Sequence, residues 1–195
     1  MQALRCHCGT LRGELDPTQA MGRAVCYCKD CQAYARFLER ADELLDASGG
    51  TDILACVPRG VRFTAGADKL VCMSLGRGGL LRWYAGCCRT PIGNTPRDRG
   101  TAYVGLVRAC LPGDRDDFVR AFGPLRVALN TASARKKVRA TPFAMLFGVG
   151  RIAGRVLTER LTGRYRRNPF FDEKTGNSIR RPAELSQAQR AGLDR

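Results

Sequence analysis

Seven of the ten cysteines fall in three tight clusters: Cys6-His7-Cys8-Gly9, Cys26-Tyr27-Cys28-Lys29-Asp30-Cys31 and the adjacent pair Cys87-Cys88. Thiols at such spacing are metal ligands in a reducing compartment, because zinc takes tetrahedral sets of Cys or His and a local pair is held in place before the rest of the site assembles. Two cysteines separated by one residue on an extended strand share a face, and Gly9 supplies the turn that lets Cys6 and Cys8 reach one ion. The seven thiols divide as four plus three. Cys6, Cys8, Cys87 and Cys88 form a closed structural set that joins the beginning of the module to its end. Cys26, Cys28 and Cys31 leave a fourth position open, the mark of a catalytic zinc. Cys56, Cys72 and Cys110 are solitary and read as buried core. His7, the only histidine, rules out a His-rich site and reads as a neighbour of the metal-binding turn.

Composition sets the frame for this chemistry. The 195 residues carry 33 Lys+Arg against 18 Asp+Glu, a net charge of +15, and are 44% hydrophobic, enough for a packed core. The longest apolar candidate, Pro142 to Leu161, is interrupted by Arg151, Arg155, Glu159 and Arg160, so no transmembrane segment is expected. The N-terminus lacks the apolar run of an export signal, which leads to a cytoplasmic expectation. All cysteines precede residue 111, and residues 113–195 hold 18 basic and 8 acidic side chains. The expected division is a thiol-bearing domain over 1–112 and a basic helical extension over 113–195.

Three segments resemble a known family. Cys6-His7-Cys8-Gly9-Thr10-Leu11-Arg12-Gly13, Cys26-Tyr27-Cys28-Lys29-Asp30-Cys31-Gln32 and Cys87-Cys88-Arg89-Thr90-Pro91-Ile92-Gly93 are similar to the glutathione-dependent formaldehyde-activating enzyme (GFA) family, which includes centromere protein V. The resemblance covers roughly residues 4–110. It implies a mainly β, twisted, tent-like zinc-binding fold with two Zn2+ sites, one structural and one catalytic, and handling of glutathione or another thiol adduct. It carries Cys6, Cys8 and Cys88 onto structural ligands and Cys26, Cys28 and Cys31 onto the active-site set. Ala85 stands where the family has the first cysteine of its last pair, so Cys87 is inferred to supply that thiol. Arg89 replaces a glycine, and Gln32 stands where the family often has arginine.

The elements that must position these residues are short. Leu11–Leu15, Ile53–Val57, Val61–Thr64, Leu70–Leu75, Leu80–Tyr84 and Tyr103–Cys110 read as strands of an antiparallel meander or sandwich, broken by Gly or Pro. Gln32–Leu45 reads as a helix through Tyr34, Leu38, Ala41 and Leu45, its N-terminal dipole beside the thiolates. A short helix over Asp116–Phe122 stops at Gly123-Pro124. The clearest helix starts with Thr141 as cap and Pro142 in the first turn, and carries a stripe of Phe143, Leu146, Phe147, Gly150, Ala153, Leu157 and Leu161. That stripe is expected to pack on the β domain or on a second subunit of a homo-oligomer, with the basic face in water; a basic amphipathic helix can also rest on an anionic membrane surface. Asn168–Asp172 reads as an aromatic tuck-in, and the stretch from Pro182 as partly helical.

Two functions follow. As an enzyme, a carbon–sulfur lyase of the GFA type, the three-cysteine zinc would activate a small thiol such as glutathione, with Asp30, Tyr27 or His7 moving the proton and Lys29, Arg36 or Arg89 holding carboxylates. As a non-catalytic zinc-stabilised scaffold or nucleic acid binder, the chain would use its ten basic residues between Arg135 and Arg167, interrupted by one acid, as a phosphate strip.

Overall fold

Short apolar runs bounded by glycine and proline become strands in the computed structural model, which describes residues 1–124 and 127–193. The described chain is mainly β. A three-stranded sheet has the order β1 (Gln2–Arg5), β2 (Arg12–Leu15), β5 (Val61–Ala65). The larger sheet is built from β3 (Ala20–Cys26), β4 (Thr51–Cys56), β6 (Leu70–Ser74), β7 (Leu81–Ala85), β8 (Thr90–Thr95), β9 (Val104–Val107), β10 (Val127–Leu129) and β11 (Ala183–Glu184). Its order is β10-β3-β4-β9-β8-β7-β6-β11. The expected antiparallel pairing holds through the centre, but both edge pairs, β10 on β3 and β11 on β6, are parallel. Both edge strands come from residues 113–195, so the region expected as a helical extension also closes the large sheet.

β3 and β8 escaped the sequence pattern for definable reasons. Gly22 and a buried Arg23 interrupt β3, and Arg23 is paired with Asp52 on β4 at 3.1 Å. β8 reads Thr-Pro-Ile-Gly-Asn-Thr, yet all six residues are buried. Gly93 fits a close approach there: a Cβ would stand 3.0 Å from both the Gly105 carbonyl oxygen and Val104 Cγ2, so its neighbours would have to give way.

The core between the sheets contains Leu4, Leu11, Leu54, Trp83, Ile92 and Leu106, together with Cys56, Cys72 and Cys110 as buried thiols. Phe170 and Phe171 enter the same core, as the aromatic tuck-in predicts. The Phe170 ring lies 5.7 Å from Phe63 on β5 and 5.2 Å from Trp83 on β7, so it wedges between the two sheets.

The helix expected over Gln32–Leu45 is two helices, α1 (Lys29–Phe37) and α2 (Ala41–Leu44). It starts earlier because Cys28 caps it, its sulfur accepting from the Cys31 amide. It ends because Glu39 adopts a left-handed φ of 55° while the Arg40 amide donates to the Ala35 carbonyl, a helix-terminating arrangement. α3 (Arg115–Phe122) stops at Gly123 as expected.

The helix α4 (Pro142–Leu161) has Pro142 in its first turn, but the Thr141 side chain does not cap it and instead accepts from the Ala128 amide at 2.9 Å. Its apolar stripe does not pack on the β domain, the first of the seatings expected for it. Phe143, Leu146, Phe147, Leu157 and Leu161 are exposed, while Ala144, Gly148, Ile152, Arg155 and Glu159 turn toward the body. Polar anchors explain this: both Glu159 carboxylate oxygens accept from Arg59 Nε at 2.9 and 3.0 Å, and Arg155 donates to Gln19 at 2.8 Å. The last described helix is α5 (Gln187–Gly192), capped by Ser186. Among the described residues no helix is long and apolar enough to cross a membrane.

Candidate metal centres

Two turns build the first cluster. The β1–β2 connection folds back through Gly9 at φ 74°, with the Gly9 amide on the Cys6 carbonyl and the Cys6 amide on the Leu11 carbonyl. The β7–β8 turn is tightened by the Arg89 amide on the Ala85 carbonyl at 2.8 Å, with Arg89 itself left-handed. The His7 amide donates to Thr90 Oγ1 at 2.9 Å and locks the two turns side by side.

The sulfurs then meet at 3.5 Å (Cys6–Cys8), 3.8 Å (Cys6–Cys87), 3.4 Å (Cys8–Cys87) and 3.9 Å (Cys87–Cys88). A tetrahedral zinc with Zn–S bonds of about 2.3 Å has edges of about 3.8 Å, whereas a disulfide would bring two sulfurs to about 2.05 Å. The donor set therefore fits a tetrahedral thiophilic ion, and Cys87, inferred from Ala85 standing where the family has a cysteine, lies within it. The Leu11 amide donates to Cys6 Sγ at 3.3 Å, and the Thr10 and Thr90 hydroxyls lie 3.2 Å from Cys8 and Cys88. The Thr10 hydroxyl and amide bring the Cys8 thiol down to about 6.

Cys26 ends β3, Cys28 caps α1, and Cys31 lies in its first turn. Their three sulfurs lie within 4.8 Å of one another, and among the described residues no other Cys, His, Asp or Glu joins the group. Here the sulfurs fit three corners of a metal site. The Cys28 and Cys31 thiols hold Cys26 far below the usual thiol range, and the Asn130 side-chain amide, 3.5 Å from its sulfur, adds to this. Cys31 moves up under Cys26, Cys28 and burial, opposed by the nearby Arg82 charge.

The residues around this cluster were largely missed by sequence reasoning. Residues 127–135 form one wall: the Tyr27 amide donates to the Leu129 carbonyl, and the Arg135 amide to the Ser48 carbonyl. Gln32 ties the wall to α1, its Nε2 donating at 3.0 Å to the carbonyls of Tyr27 and Ser133 and its Oε1 accepting from Arg135 at 3.2 Å. On the body side Arg82 is 2% exposed, bonded to Asn94 at 3.2 Å and 5.1 Å from the Tyr34 ring. Its carboxylate neighbour Asp30 is 3.8 Å away and accepts from Arg190 at 2.9 Å through its other oxygen. A void of about 10 Å³, lined by Cys31, Thr51, Arg82 and Asn94 among others, has room for roughly one water, so a larger ligand must approach from the half-exposed Cys28 side.

The remaining candidates are committed elsewhere. Tyr27 donates its hydroxyl proton to Asp46 at 3.2 Å, and His7 belongs to the turn of the four-cysteine cluster. Arg36 donates to the Leu193 carbonyl and Arg89 pairs with Glu39 at 2.6 Å, which leaves Lys29 exposed.

A solved structure of a Rhodobacter sphaeroides protein is similar to 66% of this chain and 99% of its own, at 17% identity and a TM-score of 0.44. No curated protein matches. A family model described as a family of unknown function, DUF6151, matches residues 1–179. That match runs from the first strand through both cysteine clusters and α4 to the aromatic wedge, and the chain belongs to the DUF6151 family.

Proposed function

We propose that the chain binds two zinc ions, a structural one at Cys6, Cys8, Cys87 and Cys88 and a reactive one at Cys26, Cys28 and Cys31, where it forms or cleaves a carbon–sulfur bond of a thiol adduct. The observation that carries this reading is the difference in donor count among the described residues: four sulfurs at tetrahedral spacing in one cluster, three with no further Cys, His, Asp or Glu in the other. The resemblance of the three cysteine segments to the GFA family supports the thiol chemistry and names glutathione as the first substrate to try.

Zinc held there supplies Lewis acidity and favours the thiolate form of an incoming thiol. The chain's own groups do the rest. The N-terminus of α1 and the Cys31 amide stabilise negative charge on Cys28, and Asn130 orients Cys26. Arg82 offsets the net negative charge of three thiolates and one divalent ion. Asp30, next to Cys31 and held by Arg190 and Arg82, takes the thiol proton at a carboxylate oxygen. In the forward direction sulfur bonds to a carbonyl carbon, the C=O π pair moves to oxygen, and the proton from Asp30 ends on that oxygen; cleavage is the reverse. Seven ligating thiols require a reducing compartment, which this reading takes to be the cytoplasm.

Cobalt substitution tests the proposal. Glutathione added to the cobalt-loaded chain should shift the visible ligand-field bands of the three-cysteine site and leave those of the four-cysteine site unchanged. A spectrum insensitive to millimolar glutathione and to other small thiols would instead favour a zinc-stabilised scaffold without this activity.

A further inference from the structure

The seating of α4 leaves an apolar face in solvent. Phe143, Leu146, Phe147 and Leu161 are 77%, 69%, 77% and 78% exposed. At 100° per residue these four, with Gly150, Ala153 and Leu157, fall within an arc of about 120° on a helix about 30 Å long. Basic residues flank both ends: Lys136, Lys137 and Arg139 before the helix, and Arg160, Arg164, Arg166 and Arg167 after it, all exposed. The single acid between residues 135 and 167, Glu159, is 1% exposed and turned inward onto Arg59. Among the described residues the one carboxylate from elsewhere that reaches this group is Asp98, 3.9 Å from Arg160.

We propose that α4 is an interfacial membrane anchor. It lies in the plane of an anionic bilayer surface, with Phe143, Leu146, Phe147, Leu157 and Leu161 at the headgroup–acyl boundary and the two basic clusters against lipid phosphates. Charge selects this occupant over a second copy of the chain. Packing α4 on α4, in parallel or antiparallel orientation, sets one basic cluster against another with no carboxylate on the helix face to compensate. An anionic leaflet supplies the missing charge and receives the apolar arc at once. The anchor is independent of the chemistry at the cysteines: residues 127–135 lead directly from the three-cysteine wall toward α4, so membrane contact would fix the orientation of that site.

Co-sedimentation of the full zinc-loaded chain with vesicles tests this. Vesicles of phosphatidylcholine mixed with phosphatidylglycerol should carry the protein down, and pure phosphatidylcholine much less. The double variant Phe143→Ser/Phe147→Ser should lose at least about tenfold in partitioning while keeping its circular dichroism and zinc content, since both side chains are exposed. Lys136→Glu/Lys137→Glu should weaken binding to anionic vesicles selectively, and inorganic phosphate at the same phosphorus concentration should not compete. The proposal is overturned if the wild type stays in the supernatant with anionic vesicles or if the Ser variant sediments equally. It is also overturned if the wild type is a dimer that the Ser variant dissolves without any vesicle binding, or if it binds an oligonucleotide and ignores lipid.

Discussion

Replacing Phe170 by alanine separates an appended tail from an integral part of the fold. Phe170 is fully buried, packed edge-on against Phe63 of the small sheet and tilted against Trp83 of the large one. Its segment is held by the Ile179 amide on the Phe170 carbonyl at 3.1 Å and by Asn168 Oδ1 accepting from the Phe170 amide at 3.1 Å. Phe→Ala in a rigid core costs about 3–5 kcal/mol, and the site cannot collapse easily because its walls belong to two different sheets. For a chain of this length about 4 kcal/mol corresponds to a fall in Tm of roughly 8–16 °C. Thermal unfolding of the zinc-loaded protein under reducing conditions, followed by far-ultraviolet circular dichroism and by Trp83 fluorescence, measures it. Both signals should shift together. A fall below about 2 °C, or a helical signal that melts apart from Trp83, would refute the claim that residues 113–195 complete the core.

Further outcomes follow from the cysteine clusters. Arg82→Met keeps volume but removes the buried cation beside Cys31, and should weaken metal binding at the three-cysteine site about tenfold against a competing chelator while the four-cysteine site is unchanged; equal effects on both would contradict the assignment. Gln32→Ala removes two hydrogen bonds between α1 and residues 133–135 and one to the Tyr27 carbonyl, and should raise the alkylation rate of Cys26 in the metal-free chain roughly tenfold, with unchanged labelling counting against the wall. With Cys8 at about 6, Cys26 lower still and Cys88 also shifted down, part of the ligand set is already ionised at pH 7, so loading with zinc should release fewer protons than there are ligand thiols. Affinity should therefore rise with pH, and uptake should fall most steeply as pH drops through about 6, where Cys8 is protonated too; calorimetry in two buffers of different ionisation enthalpy reads the count.

The cysteine groupings were legible in the sequence because thiol spacing is local chemistry, and the two turns that complete the four-cysteine cluster carry their own signals at Gly9 and at Cys87-Cys88. The central strands were legible for the same reason, as apolar runs between breakers. What was hidden depends on long-range contact. Asn130, Gln32 and Arg82 acquire roles only when β10 pairs with β3 and β7 passes beneath α1; the one local hint is Asn130, a residue type that tolerates its left-handed φ of 55°. β8 was missed because its burial follows from close approach at Gly93 rather than from apolar side chains. Packing of the α4 stripe on the β domain was not decided by the sequence, because periodicity locates an apolar face without saying what lies opposite. Arg59 and Gln19, 100 and 136 residues before their partners on α4, decided which side turned in.

Metal content per chain, in the wild type and in Cys28→Ser purified under reducing conditions, bears most directly on the two-centre account. The wild type should hold two zinc ions and Cys28→Ser one, with the four-cysteine ion retained. A single ion in the wild type, or a Cys28→Ser chain that still holds two, would contradict a separate centre at Cys26, Cys28 and Cys31.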